Sequence, residues 1–207
     1  MKILSFDTCL DKTYVTLFDG KNYINKIILS TGENYHSAYL ISTIVEILKS
    51  ANLLPSDLDY IATDIGPGSF TGIRACTTVA RMLAQQLNIG LIGVSSLEIL
   101  SEINGENNIV ALDARKNKAY FYDNEIKGAI ELDEVDNLVK GKKIITDDSL
   151  SSRFKELCSE VISYQQGNYN LGEILTKIAE EKIKNGADSD WRKLKPLYIQ
   201  PPPVFKK

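Results

Sequence analysis

An order of elements that occurs twice constrains this chain more than any single residue does. "KILSFDT" (2–8) reads as a buried strand and "TYVTLFDG" (13–20) as a second that ends in an Asp-Gly turn. "NYINKIILS" (22–30) returns as a third, so short turns make an antiparallel meander. In "HSAYLISTIVEILKS" (36–50), Leu40, Ile44, Ile47 and Leu48 share one helical face. Strand "DYIATDI" (59–65), helix 71–87, strand "GLIGV" (90–94) and a short helix opening at "SSLE" (95–98) complete the order βββαβαβα. Strands 107–115, 118–124 and 125–132 then start it again, followed by helix 133–139, strand 142–147, helix 150–160, strand 161–165 and helix 170–186. The repeat is one of topology, not of residues. It predicts two lobes, 1–102 and 103–207, meeting near 100–106, where "SEINGEN" is polar and contains glycine. The chain ends in "KPLYIQPPPVFKK", whose Pro201-Pro202-Pro203 run suits neither helix nor central strand. It is expected to be an extended tail of the second lobe that packs back on the first.

A doubled βββαβαβα order is that of the actin, sugar-kinase and Hsp70 superfamily. The expected fold class is therefore α/β, a two-lobe actin-like (ASKHA, ribonuclease H-like) fold. That superfamily holds ATP between its lobes and phosphates on the β1–β2 turn of each, here "DTCLDKT" (7–13) and "DARKNK" (113–118). Asp7 and Thr8 are accordingly the candidates for a vestigial phosphate turn. Asp7 reads equally well as the cap of its own turn through an Asx bond, and Asp113 reads as a turn cap or an ion pair with Arg115.

"IGPGSFTGIR" (65–74) looks like a phosphate cradle. A P-loop needs G-x-x-x-x-G-K-[ST]; Gly66 to Gly72 is one residue too long, and Ile73 stands where the lysine belongs. The alternatives are an anion at the helix N-terminus or a tight strand-to-helix turn, with glycines supplying unusual backbone angles and Ser69 or Thr71 capping. The helix that follows is apolar over most of its circumference, with one thin polar stripe of Arg74, Thr78, Arg81 and Gln85. It is either a central core helix or a subunit interface with the two arginines at its rim. His36 is the sole histidine, and one helical turn on stands Leu40, so a two-histidine metal site cannot form. No G-x-S-x-G marks a nucleophile. A net charge of −3 argues against nucleic acid held on the chain's own surface. Three separated cysteines with no CxxC pair read as free thiols. With no signal-like start and no apolar run long enough for a membrane, the chain is expected to be soluble and cytoplasmic.

"GPGSFTGIR" followed by "GVSSLE", together with "ILSFDT", "HSAYL", "DARKNKAYFY" and "PLYIQPP", resembles the bacterial TsaB (YeaZ) family from Ile3 to about Pro202. The resemblance implies a role in making tRNA threonylcarbamoyladenosine (t6A) at position 37. It implies a non-catalytic paralogue of TsaD, the subunit that holds a metal and transfers the threonylcarbamoyl group. Its partners would be a TsaD-like catalytic subunit and a TsaE-like ATPase, with a homodimer formed when alone and tRNA met only through the complex. No cofactor of its own is implied, beyond ATP or ADP at the interface with the TsaD-like partner. Docking is expected through helices 36–50 and 71–87, by His36, Leu40, Ile44, Arg74, Thr78, Arg81 and Gln85. Two departures stand out: Asp7-Thr8-Cys9 where the family commonly has "DTS", and Tyr198-Ile199-Gln200 where it commonly reads like "YLR". The alternative is an actin-like ATPase or kinase; a peptidase lacks its nucleophile or metal pair here.

Overall fold

A computed structural model of the chain describes residues 1–29 and 36–200. These form two units, one of residues 1–96 with 170–197 and one of residues 97–169 with 198–200. In the first, β1 (Ile3–Asp7), β2 (Thr13–Phe18), β3 (Tyr23–Ile28), β4 (Tyr60–Asp64) and β5 (Gly90–Val94) make one sheet in the order β3-β2-β1-β4-β5. β1, β2 and β3 are antiparallel neighbours, while β4 and β5 run parallel to β1. In the second, β6 (Ile109–Arg115), β7 (Lys118–Asp123), β8 (Glu125–Glu131), β9 (Lys143–Thr146) and β10 (Glu160–Ser163) repeat that order as β10-β9-β6-β7-β8. The doubled βββαβαβα reading is thus observed.

The helices follow the hydrophobic period. α1 (Leu40–Ser50), preceded by a 3-10 turn from His36, buries Leu40, Thr43, Ile44, Ile47 and Leu48. α2 (Phe70–Leu87) buries Gly72, Ile73, Cys76, Thr77, Ala80 and Ala84. Both pack into one apolar core with Leu4, Phe6, Val15, Leu17 and Ile61 of the sheet. α6 (Leu171–Lys184) lies against β1, β2, β4 and β5, with Gly172 next to Tyr14 and Thr16. β1 is buried along its length because its sheet is helix-covered on both faces. α6 begins and ends as its residues direct: Asn170 accepts from the Glu173 amide at its start, and Gly186 (φ +74°) stops it. The second unit holds α3 (Ser96–Ser101) from Leu97 on, and α4 (Leu132–Val139) and α5 (Asp148–Phe154) pack on its sheet, whose core holds Phe121, Val135, Ile144 and Phe154.

The division departs from the expected 1–102 and 103–207. The closing helix of each repeat belongs to the other unit: α3 goes with the second, and α6 with the first. The "SEINGEN" stretch is no linker, because the Asn108 side-chain amide donates to the carbonyls of Ser101, Ile103 and Glu106 and Ile103 is buried. The expected helix 150–160 starts at Asp148 and ends at Phe154. Asp147 caps it, accepting from the Leu150 amide, and also accepts from the Asp113 amide. The acidic pair 147–148 is therefore structural. The Pro201–Pro203 tail lies outside the described residues. No helix among them is long and apolar enough to cross a membrane.

If α6 belongs to the first unit's core, Leu175, which is fully buried, should be costly to truncate. Leu175→Ala should lower the unfolding free energy by about 2–5 kcal/mol, read from the midpoint of urea denaturation monitored by circular dichroism. A truncation ending at residue 169 should lose the fold of the first unit altogether.

Candidate functional site

Two regions of the first unit carry the residues of interest. The first is the outward side of α1 and α2. Arg74, Thr78, Arg81 and Gln85 are all exposed, so the expected polar stripe is a solvent-facing row. Apolar groups accompany it: Phe70 at the start of α2, over whose ring the Arg74 guanidinium sits at 5.5 Å, and Met82, half exposed. Ala75, Val79 and Leu83 are only partly covered within this chain. On α1 the docking residues expected from the sequence need correction. Leu40 and Ile44 are 2% and 5% exposed and belong to the core, because the face they share with Ile47 and Leu48 is the one turned to the sheet. The exposed apolar residues are one position along, Ile41 (48%) and Val45 (44%), with Tyr39 just before them. Their i, i+4 spacing was the available signal. The side chain of His36 lies outside the described residues.

The second region is buried, at the carboxyl ends of β1 and β4. Asp7 ends β1 and Asp64 ends its parallel neighbour. Asp7 Oδ1 accepts from the Cys9 amide at 2.5 Å, which is the Asx-type turn cap read from the sequence. Asp7 Oδ2 is buried with no hydrogen-bond partner. Asp64 accepts from the Gly66 amide at 2.6 Å and from the Ser96 hydroxyl at 2.7 Å. Burial pushes the Asp7 carboxyl up to about 6, against the pull of the Cys9 amide. Burial and the neighbouring Asp7 charge push Asp64 well above the usual carboxylate range. The Cys9 thiol is also raised, chiefly by burial and then by Cys76 and Asp64.

Thr8 is buried too. Its hydroxyl donates to the Gly72 carbonyl at 2.8 Å and lies 3.0 Å from Cys76 Sγ, while its amide donates to that sulfur, also at 3.0 Å. The pair expected at a vestigial phosphate turn, Asp7 and Thr8, is thus turned inward onto α2 and fully enclosed. In the second unit, the Arg115 amide donates to Asp113 Oδ1, so Asp113 caps its turn.

These contacts explain "GPGSFTG". Only Gly66 of its three glycines has a left-handed backbone, at φ +99°. Gly68 and Gly72 serve by lacking a side chain. A Cβ on Gly68 would stand 2.3 Å from the Cys9 carbonyl oxygen, and one on Gly72 would stand 1.8 Å from that of Thr8. The Ser69 amide donates to the Cys9 carbonyl at 2.7 Å. Ser69, not Thr71, caps α2, its hydroxyl accepting from the Gly72 amide. The loop is a strand-to-helix turn pressed against the β1–β2 connection. What sequence reading missed is the convergence of Asp64, Ser96, Cys9 and Cys76 on Asp7; the one signal was that Asp7 and Asp64 each close a strand.

A family model described as "TsaD: tRNA N6-adenosine threonylcarbamoyltransferase" matches residues 29–152. The chain is 31% identical over 173 residues to the tRNA threonylcarbamoyladenosine biosynthesis protein TsaB of Buchnera aphidicola subsp. Acyrthosiphon pisum (strain APS), covering 79% of this chain and 77% of that protein. It is 32% identical over 127 residues to the protein of the same name from Buchnera aphidicola subsp. Schizaphis graminum (strain Sg). There the match spans 58% of each chain, little more than half of that relative's length. Among solved structures, "YeaZ from Pseudomonas aeruginosa" superposes with a TM-score of 0.76 at 20% identity, over 95% of this chain and 99% of that one. A structure titled as an uncharacterized protein with similarity to peptidase YEAZ, from the same organism, gives 0.78 at 19%, over 96% and 99%. At those identities the likeness shows a common fold, and the two mixed sheets with their helices are the expected actin-like, ribonuclease H-like α/β arrangement.

The close approach at Gly72 makes its own prediction. Gly72→Ala should destabilise the protein by about 3 kcal/mol or more, since backbone rather than a flexible side chain blocks the methyl group. Exposed Thr71→Ala should change stability by no more than about 0.5 kcal/mol. Thermal unfolding of the two variants side by side checks both.

Proposed function

This chain belongs to the TsaB/YeaZ family, and from that premise we propose that it takes part in the synthesis of tRNA threonylcarbamoyladenosine as a non-catalytic scaffold. It docks on a TsaD-like catalytic subunit and holds it in a productive arrangement. A TsaE-like ATPase joins the pair, tRNA is met only through the assembly, and two copies pair when the partner is absent. The work is done in the cytoplasm. The observation that carries this reading is the outward side of α1 and α2. It combines exposed apolar groups (Ile41, Val45, Phe70, Met82) with a row of polar ones (Arg74, Thr78, Arg81, Gln85) on two helices anchored in one core. Aromatic, methionine and arginine side chains of this kind form the energetic centre of protein interfaces.

A passive role fits the chemistry of the chain. One histidine cannot rebuild a two-histidine metal pair. Asp7 and Thr8, the residues that a kinase or ATPase of this fold would turn towards phosphates, are enclosed and bonded to the chain itself. A nucleotide bound in the assembly is therefore held by the TsaD-like partner's side of the interface.

Arg74→Glu with Arg81→Glu should weaken binding to a TsaD-like partner about tenfold or more by calorimetry or co-purification. Ile41→Glu with Val45→Glu should do the same through the apolar part of the surface. Unchanged binding in both pairs removes these helices from the interface. Reconstituted t6A formation should fall sharply when this chain is left out; equal synthesis without it defeats the scaffold reading. Calorimetry of the isolated chain with Mg-ATP should show no micromolar binding, and micromolar binding lost in Asp7→Ala would favour the ATPase alternative.

A further inference from the structure

We propose that the β1–β2 connection and the first turns of α2 together form a site for a thiophilic divalent cation, held by the Cys9 and Cys76 thiolates and the Asp7 carboxylate, with Zn2+ the best match. The inference stands apart from the docking role. Sulfur atoms of Cys9 and Cys76 and a carboxylate oxygen of Asp7 all lie within 4.8 Å of one another, and all three residues are fully enclosed. Tetrahedral Zn2+ takes sulfur at about 2.3 Å and carboxylate oxygen at about 2.0–2.2 Å. Three donors of a tetrahedral set are therefore within reach of one cation.

The second observation is the orphaned oxygen. Asp7 Oδ2 is buried and receives no hydrogen bond from an amide, a hydroxyl or a cationic side chain; its neighbours Asp64 and the Cys9 thiol can donate to it only while they keep their own protons. Among the described residues no lysine or arginine forms an ion pair with Asp7 or Asp64; the ion pair nearest in sequence joins Lys12 to Asp11. A buried carboxylate served only by protonated acids is costly to ionise, and a cation bound in place of those protons satisfies it together with both sulfurs. Main-chain donors already orient the ligands. The Thr8 amide points at Cys76 Sγ, and the Cys9 amide at the other Asp7 oxygen, which is the outer-shell support that metal ligands ordinarily have.

The donor set selects the ion. Two thiolates exclude Mg2+ and Ca2+, which prefer oxygen, and two are too few for an iron–sulfur cluster. Binding releases the two thiol protons, and any proton on Asp7, to solvent, and forms two metal–sulfur bonds and one metal–oxygen bond; nothing is oxidised. The enclosure makes the site structural, filled as the turn closes. It would staple the end of β1 to α2, the helix that bears the exposed polar row.

The test uses the full chain, freed of metal with EDTA, kept reduced, and titrated anaerobically with Co2+ as an optical probe. The expected result is one Co2+ per chain, with thiolate charge-transfer absorption in the near ultraviolet and displacement by Zn2+. Cys9→Ser and Cys76→Ser should each weaken Co2+ binding at least about tenfold, whereas Cys158→Ser should leave it unchanged. Zn2+ should raise the melting temperature of the parent protein and not that of Cys9→Ser. Asp7→Asn keeps the bond to the Cys9 amide and serves as a second variant should a serine variant misfold; it too should bind more weakly. Absence of the charge-transfer band, or the same band in folded Cys9→Ser and Asp7→Asn proteins, overturns the proposal. Sensitivity to Cys158→Ser alone does so as well.

Discussion

Gly72 lies flat against the Thr8 carbonyl, and most of what is specific to the first unit depends on that backbone-to-backbone contact. A hydrogen at Cα lets α2 begin directly on the turn that leaves β1. One helical turn later Cys76 then faces the Thr8 amide and hydroxyl. Gly68 repeats the device against the Cys9 carbonyl, and the Ser69 amide closes the approach with a hydrogen bond. The same closeness seals Asp7 and Asp64 from water. Sealing raises both carboxyls and leaves Asp7 Oδ2 among acids. The same packing thus encloses Asp7 and Thr8, the residues expected at the phosphate turn of an actin-like fold.

The second constraint is that the first sheet needs cover on both faces. α1 and α2 seal one, where Leu4, Phe6, Val15 and Leu17 point. The other, lined by Tyr14 and Thr16, receives α6, which arrives from the far end of the chain with Gly172 pressed on both residues. A helix that starts at Leu171, 143 residues after the meander ends at Ile28, therefore belongs to its core. The Tyr23 hydroxyl, donating to Glu180 at 2.6 Å, ties the edge strand to the same helix.

Most of the fold was legible because it is local. The short turns between the first three strands, the Leu40/Ile44/Ile47/Leu48 face and the Asn170 and Gly186 caps each act within one or two turns of chain, and each is observed. The residues expected at a docking surface were half legible as exposed positions. Arg74, Thr78, Arg81 and Gln85 stand out as a polar row on a largely apolar helix, and they are exposed. Leu40 and Ile44 misled because a hydrophobic period marks the face that is buried, without saying whether one's own sheet or a partner buries it. Here the sheet does so, and Ile41 and Val45 are left outside. The acid–thiol cluster was not legible, since its members come from β1, the β1–β2 turn, β4, α2 and the start of α3, and no spacing within one element relates them.

By itself the sequence determined the order of elements, their caps and the absence of a helical histidine pair, because these follow from residues near one another in the chain or from a count. Only the tertiary structure decided which unit owns each closing helix, which face of α1 meets solvent, and why "GPGSFTG" carries its glycines. Those outcomes depend on what packs against what: a carbonyl at Thr8, a sheet face awaiting cover, two strand ends brought side by side. Contacts between distant segments have no local signature, and they are where the chemistry of this chain is concentrated.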